Sequence, residues 1–366
     1  VNETVVNSCI EACSKAGQPS AAIAVLDWAE ARGLADGVGY VAVIKACGRV
    51  GRWMDAMRVL RRARRHLPEV GVKVYSAAVA ACSAGLRPGL ARAMVMRAGE
   101  YGWVPDVVAY TAAMGACELL GDERAVEEIW GAMNSVGIAP DVCAFNARIR
   151  ACRVSADVDR AMRLLREMAA GSDGRRGGAM AEAVKPNQVT LNSVLCVCQA
   201  RGDWESAKHA LNLLQNSAGI MPDRVSFNIL IHICARRGAA QTAAQLLDAL
   251  ISTSTPDSIS FNTCISACQL SGDYRRALGL FWRMRRLNLP PDAHTFTALL
   301  TTCANARRWR LAESLHASML AANIPPTLPT YNASLRALAS GGQAPLALSR
   351  LRDMTRAGIA PSPASF

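Results

Sequence analysis

Residues 258–292 read SISFNTCISACQLSGDYRRALGLFWRMRRLNLPPD, and this stretch decides the fold. Phe261, Cys264, Ile265 and Cys268 recur at three- and four-residue spacing, which places them on one face of an α-helix. Gly272-Asp273 ends that run, with Asp273 available as the N-cap of a second helix. In that helix Ala277, Leu280, Phe281 and Met284 form the apolar stripe, until Pro290-Pro291 closes the segment. Two short helices with one stripe each cannot bury both stripes as an isolated hairpin, so further hairpins must stack on them.

The rest of the chain supplies those hairpins. Cys13, Cys47, Cys82, Cys117, Cys152, Cys198, Cys234, Cys268 and Cys303 follow one another at 34 to 36 residues, apart from one interval of 46. Nine residues after each stands Ala22, Ala56, Ala91, Val126, Ala161, Ala207, Ala243, Ala277 or Ala312. A small side chain there lets the second helix approach the first closely. A tenth unit keeps the register, with Leu338 in the cysteine place and Ala347 nine residues on. Upstream of the cysteine most units carry an aromatic and a small polar residue: Tyr75-Ser76, Tyr110-Thr111, Phe145-Asn146, Phe227-Asn228, Phe261-Asn262, Phe296-Thr297 and Tyr331-Asn332. Leu191-Asn192 and Val6-Asn7 are softened versions of the same pair.

These columns place the units at 3–36, 37–71, 72–106, 107–141, 142–187, 188–223, 224–257, 258–292, 293–327 and 328–362. The unit at 142–187 is too long, and its excess, about 170–183, falls around the glycine- and arginine-rich run Gly171 to Gly178, expected to be a loop. Residues 363–366 read as the start of a further unit. With no initiator Met, the sequence is expected to be a piece of a longer protein.

Composition agrees with thin layers of helices: 51% of the 366 residues are hydrophobic but only 5% aromatic, so Ala, Leu, Val, Cys and Met must fill the interior. A formal net charge of +12 favours a polyanionic partner. No run of 18 apolar residues is present, so no membrane-spanning helix is expected. The cysteines lack paired metal-ligand spacing and the five histidines do not flank them, so they read as packed thiols and no metal is expected. There is no P-loop, dinucleotide fingerprint or His-Glu-x-x-His, so the chain is expected to bind rather than catalyse, without a cofactor.

The period, the Ala column, the aromatic-polar pair and the closes at Pro105-Asp106, Pro140-Asp141 and Pro222-Asp223 together resemble the pentatricopeptide repeat, in a P-type array covering essentially the whole chain. The tetratricopeptide repeat is the nearest competitor, but its Trp-x-x-Leu-Gly signature is absent. The resemblance implies an all-α fold, a right-handed α-solenoid superhelix of stacked helix-turn-helix repeats. It also implies sequence-specific binding of single-stranded RNA in organellar RNA metabolism of a plant or algal type, in the chloroplast by first preference and the mitochondrion by second. The alternatives are the RNA-binding arm of a larger enzyme such as protein-only RNase P, or a tetratricopeptide-like protein scaffold.

In the family one base is read by the fifth and last residues of each unit. Ionised Asp only accepts hydrogen bonds, which suits the ring N–H of uracil or guanine, whereas Asn can donate to cytosine or adenine. Asn at the fifth place goes with pyrimidines, and Ser or Thr with purines. The pairs so implied are Asn7 with Asp36 for U, Ser76 with Asp106 and Thr111 with Asp141 for G, and Asn146 with Asn187 for C or U. Asn192 with Asp223, Asn228 with Asp257 and Asn262 with Asp292 imply U, Thr297 with Thr327 a purine, and Asn332 with Ser362 C. Val41 and Gly71 have no side chain able to read a base edge. The implied footprint is 5′-U-N-G-G-Y-U-U-U-R-C-3′. The second residues, Val38, Val108, Val189, Val225 and Ile259, are implied to sandwich the bases, while Lys73, Cys143, His294 and Pro329 depart from that pattern. The cluster Arg58, Arg61, Arg62, Arg64 and Arg65 reads first as solvated surface.

Overall fold

A computed structural model describes residues 2–169 and 184–363; the expected loop at about 170–183 and residues 364–366 lie outside them. Among the described residues the secondary structure is twenty α-helices and one short 3-10 turn. The chain forms two compact units, Val1–Val197 and Cys198–Phe366. The first unit contains α1 (Glu3–Lys15), α2 (Pro19–Glu30), α3 (Gly37–Arg49), α4 (Trp53–His66), α5 (Val72–Ala84), α6 (Pro88–Met96), α7 (Val107–Leu119), α8 (Glu123–Ser135), α9 (Val142–Ser155) and α10 (Val158–Ala169). The division falls within α11 (Gln188–Arg201). The second unit continues with α12 (Trp204–Ala218), α13 (Arg224–Arg236), α14 (Ala240–Thr253), α15 (Ser258–Ser271), α16 (Tyr274–Arg286), α17 (Ala293–Asn305), α18 (Trp309–Ala321), α19 (Leu328–Ser340) and α20 (Ala344–Arg356).

The packing is that of an α-solenoid in each unit. Odd-numbered helices stack in file, α1 on α3, α3 on α5, α5 on α7 and α7 on α9 in the first unit, and α13 on α15, α15 on α17 and α17 on α19 in the second. The even helices α2, α4, α6, α8, α14, α16 and α18 each pack on the odd helix before and on the one after, as α16 does on α15 and α17. The cysteine column lies on the odd helices, where Cys47, Cys82, Cys117, Cys152, Cys234, Cys268 and Cys303 are buried. Burial pushes the Cys82, Cys117, Cys152, Cys234, Cys268 and Cys303 thiols up to about 11, so they pack as small neutral hydrophobes.

The Ala column lies on the even helices and is buried from Ala22 to Ala312, with Val126 accommodated at 1% exposure. In the deciding stretch all the expected core positions are buried, and Asp273 caps α16 by accepting from the Arg276 N–H. The end of that helix differs from the expectation. α16 stops at Arg286, four residues before Pro290, because Asn288 turns the chain at φ 56°. The second hairpin helix of residues 72–106 is also shorter than its equivalents: α6 gives way to the 3-10 turn Ala98–Tyr101, after which Trp103 stacks on Tyr75 at 4.8 Å.

Charged residues tie successive even helices together. Arg62 of α4 pairs with Asp27 and Glu30 of α2, Arg160 of α10 with Glu123 and Glu127 of α8, Arg283 of α16 with Asp248 of α14, and Arg350 of α20 with Glu313 of α18. Burial alone would raise the Glu30 pKa, but hydrogen bonds from Arg62 and Tyr40 outweigh it and hold the carboxylate below its usual range. Arg62 therefore does not belong with the solvated surface to which the sequence assigned its cluster, whereas Arg58, 71% exposed beside Asp55, does. Such half-exposed pairs contribute roughly 0–1 kcal/mol each.

The turn between paired helices commonly uses a left-handed residue, as at Gly51, Gly121, Gly202 and Gly272, but Ala156 fills that place between α9 and α10 at φ 53°. A Cβ there opposes the following carbonyl at a cost of about 1 kcal/mol. Ala156→Gly should therefore raise stability by about 0.5–1 kcal/mol despite the greater freedom of glycine in the unfolded chain. A thermal or urea melt checks this, and a lower midpoint for the variant would contradict it.

Candidate nucleic-acid interface

The start of each odd helix needs a partner for its free N–H groups, and the residue that closes the preceding hairpin provides it. Asp36, Asp106, Asp141, Asp257 and Asp292 are the N-caps of α3, α7, α9, α15 and α17. Each accepts through Oδ1, at 2.8 Å, from the third residue of the helix, namely Gly39, Ala109, Ala144, Ser260 and Thr295. Asp223 caps α13 through Ser226 N at 2.8 Å, and Asn187 accepts from Thr190 N at 3.0 Å. Thr327 caps α19 with a reciprocal pair to Thr330. Except at Gly71, which offers α5 no side chain, the position that closes these hairpins is thus pinned by the backbone of the next.

Pinned in this way, the cap presents its remaining polar edge to the fifth residue of its own hairpin. Asn7 Nδ2 donates to Asp36 Oδ2 at 3.0 Å, and Asn262 Nδ2 donates to both Asp292 oxygens at 3.1 and 3.2 Å. Ser76 Oγ donates to Asp106 at 2.8 Å, and Asn332 Nδ2 to Ser362 Oγ at 3.3 Å. Thr111 is oriented mainly by its bond to Val107 O at 2.6 Å, with Asp141 at 3.5 Å. The sequence-derived pairs are separated by about 30 residues in the chain, yet these are side-chain neighbours.

Other pairs are built differently. Asn146 is buried at 3% exposure and its Oδ1 finds no hydrogen-bond partner. Thr297 Oγ1 gives its proton to Ala293 O at 2.7 Å and meets Thr330 Oγ1 at 2.9 Å; Thr330 in turn meets Thr327 Oγ1 at 2.9 Å. That hairpin therefore closes on hydroxyls without a carboxylate. Asn192 lies on α11 in the first compact unit up to Val197, and Asp223 caps α13 in the second.

Two of the carboxylates are held ionised. For Asp292, burial works to raise the pKa, but hydrogen bonds from the Thr295 backbone, the Thr295 hydroxyl and Asn262 lower it below the ordinary value. For Asp257 burial is likewise outweighed, by the Ser260 hydroxyl and backbone N–H, by Arg224 and by Asn228. Both remain acceptors throughout the physiological range.

Beside these caps the second residue of each odd helix faces solvent. Val38, Val108, Val189, Val225 and Ile259 are 62, 60, 48, 51 and 65% exposed, so interior packing is not the reason for an apolar side chain there. Lys73, Cys143, His294 and Pro329 are exposed at the equivalent place. Most odd helices therefore carry an exposed side chain one turn from a partly buried polar pair, the hairpin with Val41 and Gly71 being an exception.

Sequence reasoning missed the third residue of the odd helices. Thr190, Ser226, Ser260, Thr295 and Thr330 are fully buried hydroxyls that return to the cap, whereas Gly39, Val74, Ala109 and Ala144 cannot. The signal was available as Asp-x-x-Ser or Asp-x-x-Thr at the start of a helix, a capping box with a hydroxyl in place of the usual Glu.

A solenoid of helical hairpins, most with a polar pair and an exposed edge, defines the class, a helical-repeat protein. Within that class the motifs named for the pentatricopeptide repeat match: the "PPR repeat" at 4–27, 38–66 and 294–324, the "Pentatricopeptide repeat domain" at 98–155 and 179–250, and the "PPR repeat family" at 256–305. The chain belongs to the pentatricopeptide repeat family. Among solved structures it is similar to the maize pentatricopeptide repeat protein PPR10, at 23% identity and a TM-score of 0.62. That match covers 98% of this chain and 55% of PPR10, so the chain spans little more than half of that protein. PPR10 in complex with an 18-nt psaJ RNA element matches at 21% identity and a TM-score of 0.42, over 98% of this chain and 60% of that one. Yeast Rmd9p in complex with a 16-nt target RNA matches at 12% identity and a TM-score of 0.42, over 93% of this chain and 69% of that one. No curated protein matches the sequence.

The lowered pKa values of Asp257 and Asp292 make a linkage prediction. A carboxylate whose folded pKa is depressed contributes stability that is complete above its unfolded value, 3.8 for Asp, and lost as pH falls through the folded value. The wild type should therefore lose its melting-temperature margin over an Asp257→Asn/Asp292→Asn variant only below about pH 4. Melting curves of both proteins from about pH 7 to about pH 2.5 check this; a margin that does not change with pH would contradict it.

Proposed function

We propose that this chain binds single-stranded RNA with one base assigned to each hairpin, and that it acts by binding rather than by catalysis. The observation that carries the reading is the repeated juxtaposition of a pinned polar pair, such as Asn262 with Asp292, and an exposed apolar side chain, such as Ile259. A base has a polar edge and two apolar faces, and this arrangement offers a partner to each. Membership of the pentatricopeptide repeat family supports the same ligand, and a net charge of +12 supplies attraction for phosphates.

In this reading Asn7, Asp36, Ser76, Asp106, Thr111, Asp141, Asn146, Asn187, Asn192, Asp223, Asn228, Asp257, Asn262, Asp292, Thr297, Thr327, Asn332 and Ser362 read bases, in the units bounded above. Val38, Val108, Val189, Val225 and Ile259 hold base faces. An ionised Asp292 or Asp257 accepts from the N3–H of uracil and repels the unprotonated N3 of cytosine. The proposed target is 5′-U-N-G-G-Y-U-U-U-R-C-3′, and the proposed setting is transcript stabilisation, processing, splicing or translation in the chloroplast or mitochondrion. Occupancy itself is a sufficient mechanism: a bound tract is withheld from exonucleases and from pairing with other RNA.

The test is binding to that oligonucleotide and to its complement at fixed salt; equal affinities would overturn the base assignment. A steep fall of affinity with added salt is expected for both. Asp292→Asn keeps the N-cap but replaces an acceptor by a group that can donate, so U opposite that hairpin should lose about 1–3 kcal/mol relative to C. An unchanged preference among the four bases at that slot would count against the pairing of Asn262 with Asp292 as its reader.

A further inference from the structure

We infer that Ser260 and Thr295, the third residues of α15 and α17, are positioning residues that fix the orientation of the base-reading amide in the preceding hairpin. The inference rests on the base-reading proposal above and assigns a specificity role to residues outside the fifth and last places of each unit.

The case follows from counting protons around Thr295. Asn262 Nδ2 is directed at Asp292, 3.1 and 3.2 Å from its two oxygens, so the other end of the amide, Oδ1, faces Thr295 Oγ1 at 2.6 Å. Thr295 Oγ1 accepts from Asp292 N at 3.1 Å, and its single proton has two oxygens within reach, Asn262 Oδ1 at 2.6 Å and Asp292 Oδ1 at 2.9 Å. Sending that proton wholly to Asp292 would leave two oxygen lone pairs opposed at 2.6 Å, so the proton is shared, with the larger part on the shorter contact to Asn262. The amide is then held at both ends, by an acceptor on its nitrogen and a donor on its oxygen. Rotation by half a turn about the terminal bond would set Oδ1 against a carboxylate and would require the hydroxyl to turn its proton to Asp292 and accept from Nδ2 instead, so the arrangement with Nδ2 on Asp292 is the favoured one.

The same shared contact recurs one hairpin earlier, where the fully buried Ser260 Oγ lies 2.6 Å from Asn228 Oδ1 and 2.7 Å from Asp257 Oδ1. Asn7 provides the contrast. It donates to Asp36 in the same sense, but the third residue of the next helix is Gly39, and Asn7 Oδ1 lies 3.0 Å from the place a Cβ would occupy, with no hydroxyl to meet it. Asn262 is thus held at two ends and Asn7 at one. A locked amide presents one hydrogen-bonding edge to a base, whereas a free amide can rotate to serve either kind and so discriminates less.

The test compares wild type, Thr295→Val, which keeps the branched shape and removes the hydroxyl, and Thr295→Ser, which keeps the hydroxyl. Two RNAs of the proposed sequence differ only in U or C opposite the Asn262 hairpin. Thr295→Val should reduce the U-over-C ratio by about three- to ten-fold, the loss of one buried hydrogen bond, while Thr295→Ser restores it. The preference opposite the Thr111 hairpin, followed by Ala144 at the equivalent place, should not move. In RNA-free protein labelled with ¹⁵N-asparagine, the Asn262 side-chain NH₂ pair should shift and broaden in Thr295→Val and not in Thr295→Ser. A preserved U-over-C ratio with an unmoved Asn262 resonance in Thr295→Val overturns the inference and leaves base reading standing. If wild type itself shows no U-over-C difference, the base-reading proposal fails and the specificity role fails with it, whatever the resonance does. Should Thr295→Val not fold, Ser260→Ala with the base opposite the Asn228 hairpin gives the same comparison.

Discussion

A helix N-terminus with unpaired N–H groups is the constraint on which the rest of this structure depends. Every odd helix in a stack of hairpins begins at a chain reversal, where no preceding turn can satisfy those groups. The chain meets the demand with the side chain that closes the previous hairpin, most often an aspartate accepting at 2.8 Å. That bond fixes the angle at which the chain enters the helix and prevents the carboxylate from swinging into solvent. A group held for stability is thereby also held against the fifth residue of its own hairpin, through Oδ2 in Asp36, both oxygens in Asp292 and the capping oxygen itself in Asp106.

The stacking of odd helices follows from the same entry geometry. With each helix start fixed, the cysteine, leucine and aromatic positions of successive odd helices meet in file, and a small residue suffices where the even helix crosses. Much of the positive charge is used within the protein. Arg62, Arg160, Arg283 and Arg350 reach carboxylates on the preceding even helix, and the Arg49 and Arg236 guanidiniums reach the carbonyls that end the preceding odd helices. A cation at a helix C-terminus is favourable by roughly 0.3–1 kcal/mol, so these contacts reinforce the stack as well as neutralise it.

Departures from the rule are confined to particular hairpins and have definite chemistry. Asn146 keeps a buried oxygen without a partner, the Thr297, Thr330 and Thr327 hydroxyls form a chain in which no group carries a full charge, and Gly71 offers α5 no side-chain cap. Hairpins of this kind present a weaker or more adaptable polar edge than Asp257 or Asp292.

The sequence by itself determined the hairpin, its period and the residues that face inward, because those depend on spacing along a helix and on the removal of apolar area from water. Phe261, Cys264, Ile265 and Cys268 could be placed on one face from their numbers alone, and so could Ala277, Leu280, Phe281 and Met284. The columns also paired Asn262 with Asp292 by analogy to a family. Only the tertiary structure decided that the pairing is a contact, that Val38 and Ile259 are exposed where an apolar residue could have packed, that Arg62 is bound to Asp27 and Glu30, and that Thr295 closes on Asn262. These facts join residues about 30 apart whose distance is set by how one hairpin rests on the next. Periodicity within a helix carries no information about which way a hydroxyl on the neighbouring helix delivers its single proton.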